Sequence, residues 1–138
     1  MCGHTHDRGS GTVNPWFLAA GSLAAAVAAI HLVLGHVDPV QPLLHSALAE
    51  IPKRTLHAVW HLVSVDLVLA ASVLLYLGVA QPSGSELAAA VVAAHFAAYS
   101  TVFLVLTLRL EAPRRGLALP QWLLLLPVAV LSAIGAAR

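Results

Sequence analysis

The sequence predicts an all-α polytopic membrane protein, a four-transmembrane-helix up-down bundle. Three observations carry the prediction. Of 138 residues, 59% are hydrophobic and only 9% charged, where a soluble domain is about 25% charged. The mean hydropathy of +0.87 points the same way. The apolar residues fall into four runs, and a proline-bearing break follows each of the first three.

The first predicted span covers 16–37 and ends at Asp38-Pro39. Its apolar run is too long for the core of a signal peptide, and only Arg8 precedes it, so it is expected to be retained. The second covers 55–80 and stops at Gln81-Pro82-Ser83-Gly84. The third covers 86–110, with Glu111-Ala112-Pro113 after it. The fourth covers 119–136 and carries Pro127, a kink that membrane helices tolerate. Each reaches or approaches the roughly 20 residues that cross the hydrocarbon core. Residues 1–15 form a polar N-terminal tail and residues 16–138 one domain. Within the 38–54 loop, the stretch from Pro42 to Glu50 is apolar enough for a short interfacial helix.

Basic residues predict the orientation. Lys53, Arg54, Arg109, Arg114 and Arg115 belong to one side, and only Arg8 and Arg138 to the other. The basic side is expected in the cytoplasm, with both termini outside, in a bacterial inner membrane. Trp16, Trp60 and Trp122 lie near predicted helix ends, where interfacial anchors belong.

A net charge of +1 leaves no basic footprint for nucleic acid. The single cysteine, Cys2, excludes an internal disulfide. The chain has no nucleophile elbow, phosphate loop, zincin motif or CxxC, so an enzyme acting alone has no support.

The polar residues inside the spans are the functional signal. His31, His57, His61 and His95 fall there, with Asp66. Each ionisable group in lipid costs roughly 2.5–3.5 kcal/mol on insertion scales. Imidazole is the commonest metal ligand. His57 and His61 are four residues apart and share a helix face, as do His95 and Tyr99. Asp66 lies five beyond His61 and points elsewhere. Depth along the helices places His31 and His61 in one layer, on neighbouring antiparallel spans. Asp66 and Tyr99 fall near the middle of the bilayer, with His95 a little to the outer side of it.

This pattern predicts a transition metal, copper, iron or zinc, held by His31, His57, His61 and His95 with Asp66 as ligand or orienting acceptor. The alternative cofactor is haem b between His31 and His61, against a flat wall of Ala20, Ala24, Ala28 and Gly35. Haem needs only two histidines, and the surplus favours the bare ion. Cys2, His4 and His6 form a second metal candidate: removal of Met1 would expose Cys2-Gly3-His4, which suits Cu(II) or Ni(II). A third possibility is a structural subunit whose polar groups pack against other membrane chains or a second copy.

Overall fold

The computed structural model describes residues 13–110 and 119–138. Cys2, His4, His6, Arg8, Arg114 and Arg115 lie outside the described residues. Those described are predominantly helical. Helix α1 spans Pro15–Gly35, α2 Gln41–Leu44, α3 Glu50–Ala80, α4 Ser85–Arg109 and α5 Gln121–Ala136. The segments Pro15–Leu44, Glu50–Ala80 and Ser85–Arg109 are long and apolar enough to cross a membrane. The 16-residue α5 is apolar but shorter.

Local chemistry sets the boundaries. Asn14 caps α1, its Oδ1 accepting from the backbone N–H of Trp16 at 3.0 Å and of Phe17 at 3.3 Å. Pro15 follows at the first helical position, where its missing N–H costs nothing. At the far end, Asp38-Pro39 does not break the chain. A π-helical turn, His36–Val40, carries the helix past Pro39 into α2. A π-turn is a common way for a helix to absorb such a defect.

The 38–54 loop is therefore shorter than the sequence suggests. Only three residues of its apolar stretch, Pro42, Leu43 and Leu44, belong to α2, and the irregular connection is 45–49. Helix α3 begins at Glu50 rather than near Thr55. Pro52 falls in its first turn, where proline is tolerated, and Arg54 pairs with Glu50 at 2.6 Å. The α3–α4 turn uses a left-handed Gln81 at φ 42° and Gly84 at φ 84°.

Helix α1 is central. It packs on α3 along one side and on α5 along another, and α4 packs on α5. Helices α3 and α4 touch little despite being consecutive. The core joins Ala20, Ala24 and Ala28 of α1 to Leu67, Ala71 and Leu74 of α3. Phe96 of α4 and Leu125, Val128 and Ala129 of α5 complete it. The small residues of α1 thus receive neighbouring helices. Helices α1 and α3 approach closely where Gly21 meets Leu75 and Gly78 meets Leu18. Many large apolar side chains stay exposed, among them Leu62, Val65, Leu69 and Tyr76 of α3.

Candidate functional site

The register of α1 against α3 fixes which polar residues are level. The backbone N–H of Asn14 donates to the carbonyl of Gly78 at 2.9 Å, so α1 starts where α3 ends. His31 lies seventeen residues after Asn14 and His61 seventeen before Gly78. Each is about 25 Å along its helix at 1.5 Å per residue.

At that level the side chains gather around Trp60. The His31 ring stacks on the indole, with centroids 5.1 Å apart and planes 20° apart. His61 meets Trp60 edge-on at 4.9 Å, and His57 lies near-parallel to it at 6.4 Å. His36, from the π-helical turn, approaches to 6.1 Å. His57 and His61 are themselves 4.6 Å apart, centroid to centroid. Trp60 is in ring contact with both His31 and His61, and it links the α1 imidazoles to the α3 pair.

Backbone and glycine chemistry hold the indole there. The Trp60 carbonyl accepts from Ser64 Oγ at 2.9 Å and from His31 Nε2 at a long 3.5 Å. A donating Nε2 leaves Nδ1 of His31 as its lone-pair nitrogen. The Trp60 Nε1–H is buried with no hydrogen-bond partner. A Cβ at Gly35 would come within 3.1 Å of that nitrogen, so the bare glycine admits the indole edge to α1. His31 and His57 are half-buried, while His36 and His61 are exposed.

Asp66 and His95 stand apart from this cluster, on the side of α3 facing α4. His95 Nε2 lies 2.9 Å from Asp66 Oδ2. Tyr99, one turn on, packs its ring 4.2 Å from that of His95, with its hydroxyl beside the Asp66 carboxylate. The sequence-predicted ligands thus divide into His31, His57 and His61 around Trp60, and Asp66 with His95 elsewhere. Among the described residues, no three His, Cys, Asp or Glu side chains converge as a group that could hold an ion.

Two participants escaped sequence reasoning. His36 lies beyond the predicted polar layer, five residues past His31, and the π-helical turn that starts at His36 had no sequence forecast. Trp60 was expected as an interfacial anchor, but it is the hub of the ring cluster. Its position one residue before His61 and three after His57 was the available signal.

Comparison with protein-family models, with curated proteins and with solved structures finds no match to the chain.

Proposed function

We propose that the chain is a small integral membrane protein that binds a transition metal, copper, iron or zinc, for metal handling or redox chemistry. The primary holders in this reading are His57 and His61, with His31 and His36 beside them across Trp60. The orientation that the basic residues favour puts this end of the bundle towards the cytoplasm and both termini outside, in a bacterial inner membrane.

The single observation that carries the proposal is the His57–His61 spacing. Two imidazoles bound to one ion at about 2.0–2.1 Å have ring centroids about 4.5–5.2 Å apart, for angles at the metal from a right angle to the tetrahedral one. The 4.6 Å between these rings lies within that range. The exposure of His61 leaves the pair open to an incoming ion and to further ligands. Haem b has less support, because Ala20, Ala24 and Ala28 are covered by core side chains and present no free wall.

The test is metal analysis by mass spectrometry and a visible spectrum of the protein extracted from membranes in mild detergent. Bound ion that disappears in His57→Ala/His61→Ala supports the proposal. A Soret band would replace it with haem. Neither ion nor haem in wild type would overturn it and leave the histidines as packing or subunit contacts.

A further inference from the structure

We propose that the seam between α3 and α4 is a dimer face, covered in the membrane by the same seam of a second copy of the chain. The inference rests on the membrane reading of the helices and needs no bound metal.

The fold leaves this seam unfinished. Helix α1 packs along α3, α4 packs along α5, and α1 joins α5, so three sides of the four-helix array are closed. On the fourth side α3 and α4 touch little. What bridges them is polar. His95 Nε2 lies 2.9 Å from Asp66 Oδ2, and the Tyr99 ring packs against that of His95. The His95 and Asp66 side chains nevertheless remain 33% and 37% exposed.

That exposure falls at the wrong depth for lipid. Asp66 lies twelve residues before Gly78, about 18 Å along α3 and well inside a hydrocarbon core of about 30 Å. Ionisable side chains at such depth face protein or an aqueous cavity rather than acyl chains. Both groups also keep bonding capacity, since an imidazole has a second ring nitrogen and a carboxylate a second oxygen. The pair therefore calls for a polar cover. An α5 face of another copy would not provide an ionisable one, because α5 carries no titratable side chain between Gln121 and Ala136. Helix α1 carries only His31, which is stacked on Trp60.

Symmetry makes the same seam of a second copy the fitting cover. Two copies inserted with one topology are related by a two-fold axis along the membrane normal. Placed beside the seam, that axis sets α3 of each copy against α4 of the other. The rotation preserves height, and Asp66 and His95 are level because they touch. Each carboxylate then meets the imidazole and Tyr99 of the other copy, acceptor towards donor rather than like towards like. The apolar flanks match in the same way. Val59 lies seven residues before Asp66 and Val102 seven after His95 on antiparallel helices, so the two are level. At 100° per residue each points within about 20° of its polar neighbour. Both are exposed, at 47% and 56%.

Cysteine cross-linking of the full chain in liposomes tests this, in a Cys2→Ser background with chelator present so that no ion bridges copies. Chains bearing Val59→Cys are mixed with chains bearing Val102→Cys, so a hetero-linked product must join two molecules. A short bis-maleimide should give that product in preference to either homo-linked one. Asp66→Leu/His95→Leu removes the groups that need cover. It should weaken the dimer about tenfold in a lipid-dilution series read by single-molecule photobleaching, with helix content unchanged. If that double variant does not fold, the hetero-link in the cysteine chains decides. A wild type that stays monomeric overturns the proposal, as does a dimer of equal strength in a folded double variant. Cross-linking that instead favours Val130→Cys, on the outer groove between α4 and α5, also overturns it. A monomer carrying a lipid-soluble molecule that the double variant loses overturns it as well and gives the seam to that ligand.

Discussion

Replacing Gly21 by alanine should destabilise the bundle by about 1–2 kcal/mol. A methyl at this position would sit 2.8 Å from the backbone nitrogen of Leu75 and 2.8 Å from its Cγ. Ordinary contact begins at 3.4 Å. The helices must therefore part by about 0.6 Å, and a backbone atom cannot rotate away as a side-chain tip can. Forcing extra methyl volume into a packed interface costs about 1–3 kcal/mol. Alanine recovers up to about 1 kcal/mol as the better helix former. The upper part of the packing range applies because the obstacle is main chain, which leaves the net loss stated. The assay is unfolding in mixed micelles followed by circular dichroism, with the exposed Ser22→Ala as control. A Gly21→Ala protein as stable as that control would refute the close α1–α3 approach, and with it the register that brings His31 level with His61.

Two further outcomes follow from the same structure. Thr107 is fully buried and its Oγ1 donates to the Leu119 carbonyl at 3.2 Å, so the near-isosteric Thr107→Val should cost about 1 kcal/mol in the same assay by leaving that acceptor unpaired. Arg138 lies 5.1 Å over the Trp16 ring, placing the C-terminus at the end of the bundle where α1 begins, so reporters fused after Arg138 and inserted at Leu48 should read opposite sides of the membrane, with the Leu48 reporter cytoplasmic; matching signals would contradict the topology.

The helices were legible because apolar runs of span length leave little choice of structure. Their ends were less so. Asp38-Pro39 and Pro52 both look like breakers, yet proline stops a helix only where its missing N–H or its ring meets an intact turn. The π-helical turn accommodates Pro39, and the first turn of α3 accommodates Pro52. The common height of His31 and His61 followed from counting 1.5 Å per residue, and in the structure the Asn14–Gly78 contact sets it. What lay beyond the sequence was rotation. The angle of Asp66 away from His61 followed from 100° per residue, but its partner depended on which helix occupied that side. Likewise nothing in the spacing of His31 and His61 revealed that Trp60 would be in contact with both, because that depends on how closely Gly35 lets α3 approach.

Equilibrium titration of the purified, metal-stripped protein with Cu(II), Zn(II) and Fe(II) tests the proposed metal role most directly. His57→Ala and His61→Ala should each weaken binding of the preferred ion by more than about tenfold, since either removes one of two direct ligands, whose loss exceeds the 10–100-fold typical of outer-shell changes at its lower bound. Asp66→Asn, on the other face of α3, should bind as wild type does. Wild-type affinity retained in both histidine variants, or no saturable binding in wild type, would contradict a metal site at the His57–His61 pair.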